Sequence, residues 1–406
     1  MSEVVTITGL GAEGDGAATT AAGAQVFIPQ ALPGERWRVE EGYAAEPVEL
    51  LPDRRRPPNI DDEPCGGCVA RHMPLAMYHD WKREFLVRAL RQHGVAAEVQ
   101  PLITVPEHSR RRATFNAQRI GSEMRIGYHG RRSHDLVAAG DCPVLDRQIV
   151  ALLPSLADLA EVVATGNETT RVVVTITDTG ADVDVEGDEA GLTARVRSRI
   201  SDIAAAARMA RISVGGVPVI ERQAPVLHFA GKAVTPPPGA FLQAVPQAEQ
   251  AMIDLVTAAL GKSKNVGDLF CGLGTLTLPI ARKARVMAFD SDRVAIDALN
   301  DAQRKNQGLK PITARVRDLF QDPLAPLEMK DLDAVVLDPP RAGAKDQCDR
   351  LSKSKVKRVV MVSCNPATLA RDLRILIDGG YRLDAITPID QFLYSPHLEA
   401  VAVLTR

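Results

Sequence analysis

A cysteine that could act as a nucleophile lies in the run Ser363-Cys364-Asn-Pro366, directly after the apolar segment at residues 359–362. A thiolate is an intrinsically strong nucleophile once it is activated. Addition of a thiolate to carbon 6 of a uracil ring turns carbon 5, which is barely nucleophilic by itself, into an enolate carbon that can attack a methylsulfonium group. Elimination of the thiolate then requires a base that removes the proton from carbon 5. The alternative for Cys364 is an inert thiol at the end of a buried strand.

Two candidates for such a base stand together near the end of the sequence. The segment that begins at Asp390-Gln-Phe392 ends in His397-Leu-Glu399, just before a predicted last strand at residues 400–404. An imidazole and a carboxylate can each accept a proton near neutral pH. Glu399 and His397 are therefore both candidates, and a surface turn without a chemical role is the alternative.

An acidic residue in front of two prolines is the third candidate for chemistry. The run Asp338-Pro-Pro-Arg341 directly follows a predicted strand at residues 333–337. Proline restricts the residue before it to extended conformations, so the backbone at Asp338 is fixed. Many amino-group methyltransferases carry a similar Asp/Asn-Pro-Pro run, usually followed by an aromatic residue, whereas Arg341 follows here. Methylation of an amino group is therefore a rival hypothesis, and a strand-ending turn is the structural alternative.

The run Asp268-Leu-Phe-Cys-Gly-Leu-Gly274-Thr275 joins a predicted strand to a helix predicted from about residue 275. Glycines at such a junction let a cofactor approach the backbone closely. Asp290 ends the next predicted strand, 16 residues after Gly274, where an acid can bind ribose hydroxyls. This run contains no Gly-Lys-Ser/Thr, so it is not a P-loop, and it lacks the third glycine of the dinucleotide fingerprint. The spacing favours S-adenosylmethionine over NAD.

The elements that must position these residues alternate between strand and helix from about residue 247 onward. This alternation predicts a doubly wound α/β sheet, in which ligands bind beyond the carboxyl ends of the strands. Residues 1–52 contain several short strands and glycine-rich turns, a pattern typical of a small OB-like β-barrel. We predict three domains, namely a barrel at 1–52, an α+β central domain at 53–235 and a Rossmann-like domain at 236–406.

The motifs together resemble those of the uracil-C5 RNA methyltransferases, a family that makes 5-methyluridine in ribosomal or transfer RNA. The matching segments are Phe241-Leu-Gln243, Asp268-Leu-Phe-Cys-Gly-Leu-Gly274, Leu337-Asp-Pro-Pro-Arg341, Ser363-Cys-Asn-Pro366 with Thr368-Leu-Ala-Arg-Asp372, and His397-Leu-Glu399. The first strands, with Phe27-Ile-Pro and Leu32-Pro-Gly-Glu35, are similar to the small TRAM domain of many members. The resemblance covers nearly the whole chain. It implies a Rossmann-like methyltransferase domain, S-adenosylmethionine as cofactor and RNA as partner.

The resemblance also implies a role for each residue that matches a family motif. Cys364 would be the nucleophile, Glu399 the base that removes the carbon-5 proton, and Asp338 would line the cleft near the cofactor and the target base. The residues that fall where the family contacts the methyl donor are Gln243, Phe270, Thr275, Asp290, Asp318 and Asp338. Two positions depart from the family, since Thr275 stands where Asn is usual and Leu393 where Pro is usual. Neither position does the chemistry, so we expect weaker consequences for activity than for fit.

Three cysteines are similar to the iron–sulfur segment of the family. Cys65-Gly-Gly-Cys68 matches its closely spaced pair, and Asp141-Cys142-Pro143 matches its distant last ligand. Members with a cluster usually have a further cysteine six residues before the pair, where this chain has Asn59. A [4Fe–4S] cluster is normally held by four thiolates, so three cysteines leave one iron position open.

Several outcomes stay open for this cysteine segment. Water or an unusual carboxylate ligand, Asp61 or Asp62, could take the open position, or the cluster could be labile with three ligands. Zinc held by three cysteines and a histidine is a second outcome, with His72 the nearest candidate. A vestigial site without metal is the third. The cluster takes no part in the bond-making steps, so its absence would leave the predicted function unchanged.

Positive charge is concentrated in one part of the chain, although the formal net charge is only −2. Residues 53–135 contain 15 Lys and Arg against 10 Asp and Glu, and three arginine clusters stand at 54–56, 110–112 and 131–132. Basic clusters on a near-neutral chain are typical of proteins that bind a phosphate backbone. We interpret the clusters as an RNA-binding surface, with solvated loop arginines as the alternative.

The composition excludes several other classes. A hydrophobic fraction of 45% and a charged fraction of 25% exclude disorder, collagen and coiled coil for the whole chain. Six cysteines are too few for a disulfide scaffold, and no apolar stretch is long enough to span a membrane. The first basic residue is Arg36, so the basic start of a secretory signal is missing and we expect a cytoplasmic protein.

The choice of RNA is predicted by analogy alone. The TRAM-like domain and the residual cysteine pattern favour ribosomal over transfer RNA, because the simpler transfer-RNA members typically lack both. We expect a monomer without an obligate protein partner. An RNA-binding protein with an idle methyltransferase domain is the rival from another functional class, and the intact Cys364 and Glu399 argue against it.

Overall fold

The computed structural model describes residues 2–40, 45–58, 65–131, 133, 135–164, 166 and 168–406. The predictions made for Asn59, Asp61 and Asp62 lie outside these residues, as does Arg132 of the third arginine cluster. Within the described part of the chain no helix is both long enough and apolar enough to cross a membrane.

The N-terminal region is built from short antiparallel strands, as the sequence predicts. Its two three-stranded sheets have the orders β1-β5-β6 and β2-β3-β4, and they enclose a small core around the buried Trp37. The strands are β1 Glu3–Thr6, β2 Gly9–Leu10, β3 Gly16–Thr19, β4 Gln25–Ile28, β5 Arg36–Val39 and β6 Ala45–Glu49.

The central region holds a seven-stranded sheet with the order β13-β12-β11-β10-β7-β8-β9, in which only β11 and β12 run parallel. Helices α2 and α3 cover it, and the hairpin β14–β15 follows it. The elements are α1 Leu75–Gln92, β7 Arg112–Ile120, β8 Glu123–His129, β9 Leu136–Ala138, α2 Arg147–Val163, β10 Thr170–Thr177, β11 Gly180–Val185, the 3₁₀ turn Glu189–Gly191, α3 Ala194–Ala206, β12 Arg211–Val214, β13 Val217–Glu221, β14 Leu227–Phe229 and β15 Lys232–Val234.

The C-terminal region is the predicted Rossmann-like α/β fold. Its sheet has the order β18-β17-β16-β19-β20-β22-β21, with β22 antiparallel to both of its neighbours and the other pairs parallel. The elements are α4 Pro246–Leu260, β16 Asn265–Leu269, α5 Thr277–Ala281, β17 Arg285–Asp290, α6 Arg293–Lys305, β18 Ile312–Val316, β19 Ala334–Leu337, α7 Lys345–Ser352, β20 Arg358–Ser363, α8 Pro366–Asp378, β21 Arg382–Ile389 and β22 Glu399–Thr405.

The sheet explains where a ligand can bind. The chain winds outward from β16 to β18 on one side and from β19 to β20 on the other, so the direction of winding reverses between β16 and β19. Open α/β sheets bind their ligands in the crevice at such a reversal, beyond the carboxyl ends of the strands. Two details differ from the sequence prediction: α5 begins at Thr277 rather than near 275, and Glu399 is the first residue of β22 rather than part of the loop before it.

Helix α1 belongs to the C-terminal core although it precedes the central sheet in the chain. Leu86 and Leu90 on α1 are buried in one cluster with Leu369 and Leu373 on α8. The chain after α1 then runs beside β21, where Gln100 N and Ile103 N donate to backbone carbonyls of that strand. The otherwise open edge of the sheet is therefore covered. The domain boundaries at residues 52 and 235 stay predictions.

Arginines from all three basic clusters are used inside the fold, so for these side chains the interpretation as an RNA-binding surface is wrong, and for the remaining arginines of the clusters it stays a prediction. Three of them donate to carboxylates at 2.6 to 2.8 Å, in the pairs Arg54–Glu35, Arg111–Glu249 and Arg131–Asp15. The Arg54 and Glu35 side chains are 4% and 0% exposed, and those of Arg111 and Glu249 10% and 5%. A guanidinium in such a pair is not free to bind phosphate. Sequence shows the charge of an arginine but not the distant acid that neutralises it.

Candidate active site

Three of the predicted site residues directly follow neighbouring strands of the C-terminal sheet. Phe270 comes after β16, Asp338 after β19 and Cys364 after β20. Because these strands are parallel, their carboxyl ends meet at one edge, and the sheet brings the three residues to the same crevice. Asn365 then begins α8 by accepting a hydrogen bond from Ala367 N at 3.1 Å, and Pro366 occupies the first helical position. The Asn-Pro pair therefore fixes the chain just after Cys364.

Glu399 lies beside Cys364 because of the register between β20 and β22. The two strands are antiparallel, and Ser363 stands opposite Ala400. Cys364 directly follows β20 and Glu399 precedes Ala400 on β22, so continuing the register by one pair places the two residues next to each other at the crevice. Glu399 is buried, whereas Cys364 is half-buried. A candidate nucleophile and a carboxyl group are thus adjacent.

A chain of side-chain hydrogen bonds joins the two carboxyl groups of the site. Gln243 Nε2 donates to Asp338 Oδ2 at 3.2 Å, and Gln391 Nε2 donates both to Gln243 Oε1 at 2.8 Å and to Glu399 Oε2 at 3.2 Å. Both glutamines are buried. Gln391 belongs to the segment singled out in the sequence, but no pattern there assigned it a role.

The segment that carries Gln243 is fixed by the second arginine cluster. Arg111 N donates to Ala244 O at 2.9 Å, and the Arg111 guanidinium donates to Gln243 O at 3.3 Å. Arg112 donates to the carbonyls of Gly239 and Ala240. The arginines therefore hold the backbone on which one of the predicted cofactor contacts is built.

Burial and like charges perturb the acids of the crevice. Burial, and next the Asp338 charge, raises the pKa of Glu399 well above its usual range. Burial, together with the charge of Asp290, raises the pKa of Asp338 to about 7. Burial and then the neighbouring Glu399 and Asp338 raise the pKa of Cys364 to about 11, against an opposing effect of Arg341. Cys364 is consequently a thiol in the ligand-free protein at neutral pH.

His397, the other base candidate, lies outside the hydrogen-bonded chain. Its side chain is exposed, and burial of part of the ring, with the Arg341 and Lys82 charges, lowers its pKa. The structure brings Glu399 and not His397 into contact with the other polar residues of the crevice.

The glycine turn after β16 forms an open cradle beside Asp290. Gly272 has a φ of +51°, and a Cβ built on it would meet nothing within 4 Å. Gly272 N donates to Asp290 Oδ2 at 2.8 Å, and Asp292 N donates to Asp290 Oδ1 at 2.9 Å, so the carboxylate is held rigidly at the end of β17. Gly274 has a different role, because a Cβ there would lie 2.5 Å from Leu299 Cδ1.

Two aromatic rings flank the same cradle. Phe270 adopts a φ of +64°, which is unusual for a bulky residue, and its ring lies 5.4 Å from that of Phe320 between centroids. Asp318 is exposed and accepts a hydrogen bond from Phe320 N at 2.9 Å. Phe320 is 49% exposed and was not predicted as a site residue. No motif marks it, since only the fold brings it to Phe270.

These residues fit S-adenosylmethionine. Asp290 offers carboxylate oxygens for ribose hydroxyls, the turn at Gly272 leaves room for close approach, and Phe270 and Phe320 present apolar faces to a planar base. Thr275 is half-buried and follows the turn. The fit therefore depends on the polar and apolar groups that these residues offer and on the open space at Gly272.

Comparisons with known proteins agree with this geometry. The family model for tRNA (uracil-5-)-methyltransferases matches residues 225–406. A Rhizobium meliloti protein named as an uncharacterized RNA methyltransferase is 46% identical over 99% of both chains. The 23S rRNA (uracil(1939)-C(5))-methyltransferase RlmD of Aeromonas salmonicida is 31% identical and aligns over 95% of this chain and 92% of its own. The chain belongs to the uracil-C5 RNA methyltransferase family.

A solved structure shows that this methyltransferase has the fold of its family over the full length. The Pyrococcus abyssi tRNA (uracil-54, C5)-methyltransferase in complex with S-adenosyl-L-homocysteine matches 100% of both chains with a TM-score of 0.75. The two sequences are 22% identical. The shared architecture includes the sheet-rich N-terminal region and the Rossmann-like C-terminal fold.

The predicted metal ligands of this methyltransferase share a cavity but do not form a metal site. Cys65, Cys68 and Cys142 line a space of about 1070 Å³ together with His72. Burial, with the other two cysteines, raises the pKa of Cys68 to about 12, and burial lowers that of His72 to about 4. Among the described residues no three His, Cys, Asp or Glu side chains are placed to hold a metal ion. Among the described residues neither the iron–sulfur cluster nor the zinc site considered from the sequence is therefore supported, and the vestigial site without metal stays a prediction.

Proposed function

We propose that this protein transfers a methyl group from S-adenosylmethionine to carbon 5 of a uridine in RNA, with Cys364 as nucleophile and Glu399 as base. The observation that carries the proposal is the adjacency of Cys364 and Glu399 across the β20–β22 register, at the strand ends where the cofactor cradle opens. Membership in the uracil-C5 RNA methyltransferase family supports the same reaction.

The residues act in a fixed order. Cys364, a thiol in the ligand-free protein, first gives up its proton to solvent; its thiolate then adds to carbon 6 of the uracil, the carbon 5–carbon 6 double bond opens, and carbon 5 gains the electron density of an enolate. When bound, S-adenosylmethionine supplies the methyl group that carbon 5 takes up. Glu399 then removes the proton from carbon 5, the double bond re-forms, and the carbon 6–sulfur bond breaks to return the Cys364 thiolate. A raised pKa suits Glu399 to this step, because a more basic carboxylate holds the abstracted proton more firmly.

The target base must leave its stack to reach Cys364, as in other enzymes that modify a base within RNA or DNA. We propose ribosomal RNA, and specifically 23S rRNA, as the substrate. The Aeromonas salmonicida relative named as a 23S rRNA methyltransferase aligns over nearly all of both chains, which supports this choice. Transfer RNA is the alternative, favoured by the name of the family model. A monomeric, cytoplasmic enzyme is part of the same proposal.

One experiment tests both the chemistry and the RNA class. Purified protein is incubated with methyl-labelled S-adenosylmethionine and with unmodified ribosomal or transfer RNA in separate reactions, and the RNA is digested to nucleosides. Labelled 5-methyluridine in the ribosomal RNA reaction is expected, and Cys364→Ala should abolish it. Label in the transfer RNA reaction alone would replace the proposed substrate.

Other outcomes would contradict the chemistry. Label in an amino-methylated nucleoside that survives Cys364→Ala would move the reaction to Asp338 and favour the amino-group hypothesis. RNA binding without any label, in protein that binds S-adenosylmethionine, would indicate an idle methyltransferase domain. Cys348→Ala is the matched control, because Cys348 is a fully buried thiol on α7 that is not one of the predicted site residues, and its loss should leave the labelled product unchanged.

A further inference from the structure

Gln391 contacts both Gln243, a predicted cofactor contact, and Glu399, the candidate base. Its amide nitrogen is 2.8 Å from Gln243 Oε1 on the side of the predicted cofactor contacts and 3.2 Å from Glu399 Oε2 on the side of the base. The side chain is 2% exposed. We propose that Gln391 is a positioning residue, which holds the Glu399 carboxylate in the direction needed to remove the carbon-5 proton. This proposal rests on the proposed function.

The orientation of the Gln391 amide is fixed by its neighbours. Asp338 accepts a hydrogen bond from Gln243 Nε2, so the Gln243 amide must present its oxygen on the other side. That oxygen can only accept, and the group facing it on Gln391 is therefore the NH₂. The second N–H of the same NH₂ is left for Glu399. If the Gln391 amide were flipped, its oxygen would face both Gln243 Oε1 and the Glu399 carboxylate, and neither of these could donate a hydrogen bond to it.

This arrangement favours one state and one direction of Glu399. A hydrogen bond from a neutral donor to a carboxylate stabilises the ionised form, which is the form that accepts a proton. It also ties Oε2 to the amide and thereby fixes the direction of the carboxylate. Gln391 Oε1 is buried and has no hydrogen-bond partner in the part of the chain that the structure describes, so the amide is held through its donors alone.

The backbone on both sides of Gln391 is held by helix α1. Lys82 Nζ lies 2.7 Å from Asp390 Oδ1 and 3.0 Å from Phe392 O, and it also contacts His397 O. The loop between β21 and β22 is therefore anchored on both flanks of Gln391. Because the residues on both sides are anchored, the Gln391 side chain is held in one position.

Removing the donors should slow the elimination step and spare the earlier steps. In Gln391→Met the side chain keeps a similar length but loses both N–H groups. The lost hydrogen bond to a charged group corresponds to about a 10- to 100-fold decrease in the rate of proton removal. The addition of Cys364 and the methyl transfer precede that step, so their rates should not change.

Two RNA substrates separate these steps. With 5-fluorouridine at the target position, carbon 5 carries no removable proton, so the methylated covalent adduct of Cys364 accumulates and its rate of formation reports the steps before elimination. With uridine, turnover reports the whole reaction. Glu399→Gln is the reference for blocked elimination and should retain the covalent adduct on uridine RNA. Gln250→Met is the matched control, because Gln250 makes a similar amide-to-carboxylate hydrogen bond on an exposed helix surface.

The expected result has three parts for Gln391→Met. The adduct on 5-fluorouridine RNA forms at the wild-type rate, turnover on uridine RNA falls by about 10- to 100-fold with adduct present, and the acid limb of the pH–turnover profile moves to higher pH. The last effect follows because loss of the donor raises the pKa of Glu399. Gln391→Glu, which keeps the shape and adds a negative charge beside Glu399, should move the limb further in the same direction.

Three outcomes would overturn the proposal. Turnover and a pH profile equal to those of wild type would show that Gln391 does not position the base. Equal decreases in adduct formation and turnover would show a role in binding or in the first steps. A melting temperature lowered in both Gln391 variants, with an unmoved pH profile, would show a structural role alone. Failure of the wild-type protein to form any adduct on 5-fluorouridine RNA would instead contradict the proposed function.

Discussion

Lys82 and Asp390 form an ion pair with no solvent exposure, in which Nζ lies 2.7 Å from Oδ1 and both side chains are 0% exposed. Tyr78, one turn earlier on α1, donates from its hydroxyl to Asp390 Oδ2 at 2.5 Å and accepts from Tyr394 N at 2.8 Å. A single helix outside the C-terminal sheet thereby fixes the loop that ends at the candidate base. Burial and the Asp390 charge act in opposite directions on Lys82, and the net effect lowers its pKa.

Lys82→Met should therefore damage both stability and activity. Removing one partner of a buried ion pair leaves the other charge unpaired, which typically costs about 3–5 kcal/mol. The loop would also lose the donor that holds the carbonyls of Phe392 and Ser395, so Glu399 would be less well placed. We expect a large loss of stability by denaturant titration and at least a tenfold lower turnover in RNA methylation assays.

The same helix offers the control for that variant. Arg88 and Glu84 form an exposed i,i+4 pair, with side chains 53% and 38% exposed. Exposed pairs of this kind contribute about 0.3–0.5 kcal/mol, so Arg88→Met should leave stability and turnover nearly unchanged. Equal effects of the two substitutions would contradict a special role for the Lys82–Asp390 pair.

The buried arginine of the second cluster gives a different prediction. Arg111→Met leaves Glu249 as an unpaired buried carboxylate and frees the backbone carbonyl of Gln243 from its donor. We expect lower stability, by a few kcal/mol, and weaker cofactor binding. The slope of log Kd for RNA against log salt concentration should stay the same, because Arg111 neutralises no phosphate. A slope reduced by about one unit would restore the interpretation of the cluster as an RNA contact.

The sequence located the residues that end strands, but not those that act through tertiary contacts. Cys364 and Asp338 directly follow buried strands and Glu399 begins one, so the motifs at the strand ends indicate where these residues lie. Gln391 meets Gln243 across 148 residues and Lys82 meets Phe392 across 310, so no local spacing could reveal either contact. Arg111 shows a different kind of error. The charge cluster predicted that this side chain lies on an RNA-binding surface, whereas the fold places it in a buried ion pair with Glu249.

Asp268, at the start of the glycine motif, predicts a change of stability with pH. It is fully buried, its Oδ2 accepts from Thr277 Oγ1, and Oδ1 has no hydrogen-bond partner among the described residues. Burial raises its pKa to about 7. The folded protein therefore binds a proton here more tightly than the unfolded chain, and this contribution to stability is complete below about pH 4 and is lost as pH rises through 7.

Asp268→Asn should remove that part of the pH dependence. One pKa unit corresponds to about 1.4 kcal/mol, so wild type should lose up to about 4 kcal/mol relative to the variant between pH 4 and pH 8. Chemical denaturation of both proteins at each pH gives the difference directly. A difference between the two that does not change with pH would contradict a raised pKa at Asp268.

Cofactor binding should depend on pH through Asp338. Burial raises the pKa of its carboxyl to about 7 in the ligand-free protein, so its protonation changes across the neutral pH range. A sulfonium cation bound nearby favours the ionised form, and S-adenosylmethionine should bind about tenfold more tightly at pH 8 than at pH 6, with release of a proton near neutrality. S-adenosylhomocysteine, which lacks the positive charge, should show a much smaller dependence.

Calorimetry in buffers of different ionisation enthalpy measures both the affinity and the proton released, and Asp338→Asn is the control that should abolish the difference between the two ligands. An equal pH dependence for both ligands would place the sulfonium away from Asp338.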